Sequence, residues 1–187
     1  DKRRKLKEIL LRNECTPAIG VTDVISARIV EKQGYEIAYL GSYSTAAFTY
    51  GIPDTDALGL EDMAAPARNI APEIDIPMIC DAENGFFNAA NIWRTVRTFE
   101  DTGVAAIHIE DHVFGKHTNL PPVILDVGKM CDKIHAAVDA RRDRDFIIIA
   151  RTDCAWAIGY DKGGIEESIR RCNLFMEAGA DAVFGAY

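Results

Sequence analysis

Ionisable side chains alternate along three short runs of the sequence. They form pairs spaced two residues apart: Asp81 and Glu83, His108 and Glu110, and Arg151 and Asp153. Because side chains alternate along a strand, both members of a pair point to the same face. The carboxylates of Asp81, Glu83 and Glu110 would repel one another at one site, and a hard divalent cation held by their oxygens would relieve the repulsion. These three residues therefore predict a Mg²⁺ site, with Mn²⁺ as the alternative ion.

Arg151 is the cation of this set. Its guanidinium offers a rigid fork of donors that matches both oxygens of a carboxylate. We therefore expect Arg151 to bind a small carboxylic acid substrate. The same charges could instead form structural ion pairs that cap the strands, and the residues alone leave that alternative open.

His108, Glu110 and His112 form a second candidate metal motif. Two imidazoles and one carboxylate on one face could hold zinc or iron. One strand, however, cannot surround an ion tetrahedrally. We expect His108 to lie beneath Glu110 as an inward-facing residue, and His112 to lie past the strand end, in a loop.

The segments that must position these residues alternate between short apolar runs and longer amphipathic ones. The apolar runs predict strands over residues 18–21, 37–42, 77–83, 106–111, 146–153 and 182–187. The amphipathic runs predict helices near residues 23–33, 61–70, 89–102, 127–140 and 164–178. Such an alternation is typical of an α/β fold with a parallel sheet.

Polar side chains stand at the end of every predicted strand from the second on: Ser42, Asp81, Glu83, Glu110, Arg151, Asp153 and Tyr187. A ring of polar strand ends is typical of a barrel's catalytic face, whereas a doubly wound sheet gathers ligand groups at one switch point. We therefore predict a (β/α)₈ TIM barrel. A complete barrel has eight strands in about 250 residues. Residues 1–187 are thus expected to be a single barrel domain truncated after about six strands, without its C-terminal strands and helices.

Composition narrows the class of protein. A formal net charge of −8 at pH 7 argues against nucleic-acid and anionic-membrane partners. The basic cluster at residues 2–7 lies beside leucines at helical spacing, and we expect it to form the solvated face of a helix. No apolar run approaches the ~20 residues needed to span a bilayer. Five scattered cysteines fit reduced thiols better than a disulfide framework, so we expect a cytoplasmic location.

Several stretches of the chain carry recognisable motifs. Residues 39–42 read YLGS, residues 51–54 GIPD, residues 79–86 ICDAENGF, residues 106–112 AIHIEDH and residues 146–153 FIIIARTD. The first two together resemble the substrate loop of the isocitrate lyase/phosphoenolpyruvate mutase superfamily, and the other three resemble, in order, its metal-site strand, its Ile-Glu-Asp-Gln strand and its Ala-Arg-Thr-Asp strand. The resemblance runs from about residue 16 to residue 187.

The resemblance implies a role for each matching position. The metal ligands would be Asp81, Glu83 and Glu110, which would hold Mg²⁺ directly or through water. The candidate catalytic residues are Lys116, Asp54 and Glu110. The candidate substrate-binding residues are Gly41, Ser42, Tyr43, Arg151, Thr118 and Asn119. Lys116 would sit on a mobile lid, residues 113–122, which would hinge at Gly115 and close over the substrate.

The lid departs from the pattern of the isocitrate and methylisocitrate lyases. Those enzymes follow the loop lysine with Lys/Arg-Cys-Gly-His, in which the cysteine protonates the departing enolate. Here residues 116–119 read KHTN, and Thr118 takes the place of the cysteine. The strand-six glutamate of those lyases is absent at Ala186, and Glu83 stands where an aspartate is usual, which should shift the metal or remove a bridging water. Tyr43 stands where glycine is frequent and should make the pocket narrower or differently shaped.

The sequence therefore predicts a Mg²⁺-dependent carbon–carbon lyase that cleaves a small 2-hydroxy or 2-oxo dicarboxylic acid through an enolate. Two alternatives stay open. The first is a phosphonopyruvate mutase or hydrolase, whose loop reads Lys-Thr-Asn-Ser, and the second is a metal-binding barrel without catalysis. A Schiff-base aldolase would need a lysine at a strand end, and none of the six predicted strands has one. The resemblance also implies a homotetramer for the full-length protein.

Overall fold

A computed structural model describes residues 1–114 and 116–186. The strands are β1 (Ala18–Gly20), β2 (Ile37–Leu40), β3 (Met78–Asp81), β4 (Ala106–Glu110), β5 (His112–Phe114), β6 (Val123–Ile124), β7 (Ile147–Thr152) and β8 (Ala182–Gly185). The helices are α1 (Lys2–Leu10), α2 (Val24–Lys32), α3 (Ser42–Ser44), α4 (Leu60–Ile70), α5 (Ile92–Thr102), α6 (Val127–Ala140), α7 (Cys154–Ile158) and α8 (Gly164–Glu177). Across this part of the chain, no helix combines the length and the apolar character needed to cross a membrane. The predicted hinge at Gly115 and the predicted strand end at Tyr187 lie outside the described residues.

Six parallel strands form one curled sheet in the order β1-β2-β3-β4-β7-β8. The amphipathic helices cover the outside of the curl, where α4, α5, α6 and α8 contribute Met63, Phe99, Ile134 and Phe175 to the main core. Strand follows helix with parallel pairing at each step, as the alternation of the sequence predicts. The fold class is confirmed: the described chain is a half-barrel of the (β/α)₈ type.

Side chains alternate between the two faces of the sheet. In β4, Ile107 and Ile109 pack against the outer helices, while Ala106 belongs to the apolar cluster inside the curl. His108 and Glu110 follow Ala106 at intervals of two and therefore also face inward. Strand β4 is therefore buried on both faces, and its last inward side chain, that of Glu110, lies at the open end of the curl.

Helix α1 closes the N-terminal end of the curl. Leu6 and Ile9 are buried against inward side chains of the sheet, including Ile147. Lys2 and Arg3 each donate to two backbone carbonyls of the barrel. The helix was predicted correctly, but its basic cluster is not simply a solvated face, because these two side chains bind carbonyls at the closed end.

The segment after β4 begins and ends in a hairpin. Strand β5 pairs antiparallel with β6, and His112 lies opposite Ile124. The sequence predicted no strand within residues 113–122 and placed His112 in a loop. Both expectations were wrong, because strands of two and three residues are too short to show a period. The hairpin ties down both ends of the segment that carries Lys116.

Candidate active site

Asp81 joins the predicted metal-site strand to the predicted substrate loop. It is the last residue of β3, and its side chain is buried. Its Oδ2 accepts hydrogen bonds from the amide and the hydroxyl of Ser42, at 3.2 and 2.9 Å. Its Oδ1 accepts a hydrogen bond from the Glu83 amide at 2.8 Å. Ser42 follows Gly41 directly after β2, so neighbouring strands bring these residues together.

The loop after β3 is fixed by donors from two outer helices. The Lys133 ammonium donates to the carbonyl of Asn84 at 2.7 Å, and the Thr95 hydroxyl donates to the carbonyl of Gly85 at 2.6 Å. Glu83 has a φ of 50°, a left-handed conformation that is uncommon outside glycine. The loop therefore holds a strained turn that places the Glu83 carboxylate in the buried interior of the site.

His108 lies beneath Glu110 inside the curl, as the alternation predicts. Its Nε2 lies 2.9 Å from the hydroxyl oxygen of Tyr39, and its Nδ1 lies 3.7 Å from Oδ1 of Asp81. Burial lowers the pKa of His108 to about 4, so the imidazole is neutral at pH 7. A neutral ring in this position adds no charge to the carboxylates above it.

Lys116 enters the site from the segment between β5 and β6. Its Nζ donates to Oε2 of Glu83 at 2.7 Å, and it lies 3.3 Å from Oε1 of Glu110 and 3.7 Å from Oδ2 of Asp54. Burial disfavours the ammonium ion, but the charges of Glu110, Asp81 and Glu83 outweigh it and raise the pKa of Lys116. Lys116 is therefore a buried cation between three predicted site residues.

Arg151 meets carboxylates of the protein itself. Its Nε and Nη2 donate to the two oxygens of Asp153, at 2.7 and 3.1 Å. Its Nη1 lies 3.1 Å from Oε2 of Glu110, and its guanidinium lies over the ring of Phe184. The ion pairs that the sequence left open are present. They also orient the guanidinium, which stays in the wall of the cavity described below.

The charges of the site are unbalanced. Lys116 and Arg151 face five buried carboxylates: Asp54, Asp81, Glu83, Glu110 and Asp153. Burial raises the pKa of Glu83 to about 7 and that of Glu110 to about 8. Burial also opposes ionisation of Asp81, but the positive charges of Lys116 and Arg151 help to lower its pKa. The site therefore holds excess negative charge that a cation would offset.

Ligand atoms for a metal ion converge in two groups among the described residues. One group is Asp81, His108 and Glu110, and the other is Glu110, His112 and Asp153; the atoms of each lie within 4.8 Å of one another. Glu83 belongs to neither group, because its carboxylate turns to Lys116. The buried oxygens Oε1 of Glu83 and Oε2 of Glu110 accept no hydrogen bond. Carboxylate oxygens without donors suit a hard divalent cation, so the residues fit such an ion.

A cavity of about 330 Å³ borders these groups. The predicted site residues in its wall are Gly41, Ser42, Tyr43, Asp54, Asp81, Lys116 and Arg151. The Tyr43 residue is 66% exposed, so it borders the opening. Thr118 and Asn119 are exposed, and the Thr118 hydroxyl oxygen accepts a hydrogen bond from the Leu120 amide. Their roles in substrate binding stay predictions.

His117 is a site residue that the sequence reasoning missed. Its Nε2 lies 3.5 Å from Oδ2 of Asp54. The signal that could have identified it is a histidine directly after the loop lysine. Asp111, the neighbour of Glu110, instead points away from the site, where it accepts hydrogen bonds from the Thr152 hydroxyl and the Arg171 guanidinium.

The fold and the site together define an α/β-barrel protein with an acidic centre at the carboxyl ends of its strands. The chain belongs to the isocitrate lyase/phosphoenolpyruvate mutase superfamily, since residues 6–187 match the family model described as phosphoenolpyruvate phosphomutase. The resemblance read from the motifs is thereby confirmed. Members of this superfamily include carbon–carbon lyases.

Three known proteins illustrate the relationship. The 2,3-dimethylmalate lyase of Eubacterium barkeri is 37% identical over 182 residues, which cover 96% of this chain and 61% of that protein. The crystal structure of phosphoenolpyruvate phosphomutase from Streptomyces platensis subsp. rosaceus superposes with a TM-score of 0.89 at 29% identity, covering 99% of this chain and 64% of that one. A phosphonopyruvate hydrolase in complex with oxalate and Mg²⁺ gives a TM-score of 0.87 at 32% identity, covering 99% and 62%. The chain thus spans less than two thirds of the length of these relatives.

Proposed function

We propose that this chain is part of a Mg²⁺-dependent carbon–carbon lyase that cleaves a small 2-hydroxy or 2-oxo dicarboxylic acid through an enolate. The observation that carries the proposal is the meeting of Lys116 and Arg151 with Asp81, Glu83 and Glu110 beside one cavity. The cavity of about 330 Å³ lies at the small end of the range for ligand sites. Its size and its two cations suit a short dicarboxylic acid.

Asp81 and Glu110 are the residues that would hold the metal ion, with Glu83 as a contact through water. The fit rests on Oε1 of Glu83 and Oε2 of Glu110, which accept no hydrogen bond although Oε2 of Glu110 lies 3.1 Å from Arg151, and on the excess of carboxylates over cations. When bound, Mg²⁺ or Mn²⁺ would offset that charge and polarise the oxygen next to the scissile bond.

The remaining steps belong to the side chains of the protein. Arg151, already oriented by Asp153, would bind a carboxylate of the substrate through its guanidinium. Oε1 of Glu83 would accept the proton of the substrate hydroxyl, since it is buried and has no donor. Lys116, held beside Glu83, would stabilise the oxygen on which negative charge develops.

Phosphorus–carbon chemistry on phosphonopyruvate is the second candidate function. The specific observation in its favour is Thr118, which replaces the cysteine acid of the isocitrate lyases. The likeness to the phosphomutase and the phosphonopyruvate hydrolase structures supports it as well. Both candidates use the same residues to hold an enolate, so the leaving group distinguishes them.

The full-length protein is further proposed to be a cytoplasmic homotetramer in which residues 1–187 lie within a single barrel domain. The support is the family resemblance, together with apolar side chains such as Ile165 and Ile169 that are exposed on α8. Light scattering coupled to size-exclusion chromatography measures this directly. A monomer at micromolar concentration would contradict it.

A turnover screen of the full-length protein tests the function. The panel contains malate, 2,3-dimethylmalate, methylisocitrate, oxaloacetate and phosphonopyruvate, each with Mg²⁺ and with a chelator. A 2-oxo acid released from a malate-type substrate in the presence of Mg²⁺ is the expected result. Phosphate or phosphoenolpyruvate formed from phosphonopyruvate would establish the second candidate instead.

Asp81→Asn is the matched inactive variant for this screen. It should lose turnover and weaken Mg²⁺ binding at least about tenfold, because one anionic contact in a partly desolvated site is worth more than ~1.4 kcal/mol. Calorimetry measures the affinity, and thermal unfolding verifies that the variant is folded. A folded variant with unchanged Mg²⁺ affinity would exclude Asp81 from the metal site.

A further inference from the structure

His117 stands at the mouth of the site, where its side chain is 56% exposed. Its Nε2 lies 3.5 Å from Oδ2 of Asp54, and its ring meets the ring of Tyr43 edge-on at 6.1 Å between centroids. It lines the cavity of about 330 Å³ and a neighbouring one of about 210 Å³. Lys116 and Arg151 line both cavities as well. His117 therefore borders the same two cavities as the two cations of the site.

The backbone of His117 is strained in this position. Its φ is 51°, in the left-handed region that residues with a Cβ seldom adopt. Such conformations concentrate at functional sites. The contacts of the ring with Asp54 and Tyr43 show what the conformation achieves: it directs an imidazole at the cavity while Lys116 points deeper.

The proposed reaction needs a proton donor, and neither Lys116 nor Thr118 is suited to that role. The Lys116 ammonium is bound to Glu83 and faces Glu110, and those charges hold its proton. The hydroxyl of Thr118, in place of the family's cysteine, is far too weak an acid. An imidazole can give and regain a proton near neutral pH in every cycle.

We propose that His117 is the general acid that protonates the leaving carbon, an inference that rests on the proposed lyase function. The hydroxyl proton of the substrate passes to Glu83, and the electron pair of the broken carbon–carbon bond moves onto the carbon next to the leaving carboxylate. The Nε2 proton of His117 then goes to that carbon. The products are a 2-oxo acid and a carboxylic acid, and transfer of one proton from Glu83 through solvent restores His117.

Asp54 is the positioning residue for this acid. Its buried carboxylate lies within reach of both His117 and Lys116, so it orients the ring. The other titratable groups that border the same cavities are Tyr39, Tyr43, Asp81, His112, Arg151, Asp153 and Tyr160. Asp54→Asn should therefore lower kcat while leaving KM nearly unchanged, since it loosens the ring without removing the imidazole.

The first test needs no turnover. Oxalate with Mg²⁺ resembles the enolate state of a 2-oxo acid, and its bound oxygens should lie beside the His117 ring. Proton NMR of the histidine rings in the full-length protein should then show the His117 resonances shifting when Mg²⁺ and oxalate bind together. His135, exposed on α6, is the internal control and should not respond. A His117 signal that is insensitive to Mg²⁺-oxalate, under conditions where calorimetry shows oxalate bound, would overturn the proposal.

The second test uses whichever acid of the screen the protein cleaves. His117→Gln should lower kcat by about 10²-fold, the scale of a positioned general acid, with KM changed by less than about threefold. Added imidazole should partly restore turnover in His117→Ala, and His135→Gln should behave as the wild type. Wild-type turnover in His117→Gln would overturn the role. If the wild type cleaves no acid of the panel, the lyase function fails, and the oxalate experiment still decides whether His117 faces the bound anion.

Discussion

Glu83 has one methylene group more than aspartate, and this length determines which group its carboxylate contacts. The sequence placed it among the metal ligands, at a position where the family usually has aspartate. In the structure its carboxylate reaches Lys116 at 2.7 Å and stays outside the group formed by Asp81, His108 and Glu110. The longer side chain therefore binds Lys116 directly, and in the proposed site it would reach the metal ion only through water. Its second oxygen, Oε1, accepts no hydrogen bond and is the atom to which we assign the role of base.

Arg151 supports a prediction at the same scale. Lysine keeps the charge at this position but loses the fork that now engages Asp153 through two hydrogen bonds. Arg151→Lys should raise KM for the accepted acid about tenfold, the loss of roughly one charge-assisted hydrogen bond. Steady-state kinetics measures the change, and the melting temperature should move little.

Arg171→Lys is the matched control for Arg151. Arg171 binds the outward-facing Asp111 and the carbonyl of Leu125, away from the cavity. Its substitution should lower the melting temperature and leave KM unchanged. Equal effects of the two substitutions on KM and on stability would make Arg151 a purely structural ion-pair partner.

Among the strands and helices, the sequence predicted those that follow a regular pattern of apolar residues and missed those without one. The six barrel strands and their outer helices were visible because buried strands and amphipathic helices have long, regular patterns. The hairpin of β5 and β6, the π-helical segment Thr45–Tyr50 and the short helix α7 were not visible, because each is too brief or irregular to show one. The strand-borne site residues followed from alternation, whereas Asp54 and Lys116 came only from the family resemblance. His117 was missed because loop geometry decides where its ring points.

The loop after β3 gives a prediction for an element. Gly85 has a φ of 87°, and a Cβ there would lie 2.4 Å from Cδ1 of Ile92 and 3.2 Å from Cγ2 of Ile109. Gly85→Ala should lower the free energy of unfolding by about 2–4 kcal/mol, since a left-handed alanine costs ~1–2 kcal/mol and crowding adds to it. It should also weaken Mg²⁺ binding, because the same loop carries Glu83.

Gly34→Ala separates strain from crowding. Gly34 has the same φ of 87°, but a Cβ added there would meet no atom within 4 Å. Its substitution should therefore cost only the ~1–2 kcal/mol of the left-handed conformation and leave Mg²⁺ affinity unchanged. Denaturant unfolding and calorimetry of both variants measure the two effects. Equal losses in both would show that the packing around Gly85 is not what fixes the loop.

For the whole molecule, the two ends of the curl serve opposite purposes. The N-terminal end is filled by α1, whose Leu6 and Ile9 complete an apolar interior. The opposite end gathers the buried carboxylates on a chain that already carries a net charge of −8. Apolar packing therefore stabilises the N-terminal end, whereas the carboxylates at the opposite end repel one another. A bound cation would offset that repulsion.

That stored repulsion predicts how stability depends on pH. In the folded protein without metal, burial raises the pKa of Glu83 to about 7 and that of Glu110 to about 8, above the ordinary value of 4.5. The folded state thus holds protons that the unfolded chain releases. The stability that comes from the protonated forms of Glu83 and Glu110 is fully present below about pH 4.5. It is lost as the pH rises through 7 to 8. The melting temperature in chelator should therefore fall between pH 6 and pH 8.5.

A divalent cation should reverse this loss, because it binds the ionised carboxylates and displaces their protons. The increase in melting temperature caused by saturating Mg²⁺ should accordingly be larger at pH 8.5 than at pH 6.

Glu83→Gln is the control. It removes one titrating group, so the melting temperature in chelator should fall less over the same pH range. Asp81 and Asp153, whose pKa values are lowered, stay ionised throughout and do not contribute to the difference. Thermal scans at the two pH values, with chelator and with Mg²⁺, decide the matter. A Mg²⁺ effect that is equal at both would mean that the ion binds away from Glu83 and Glu110.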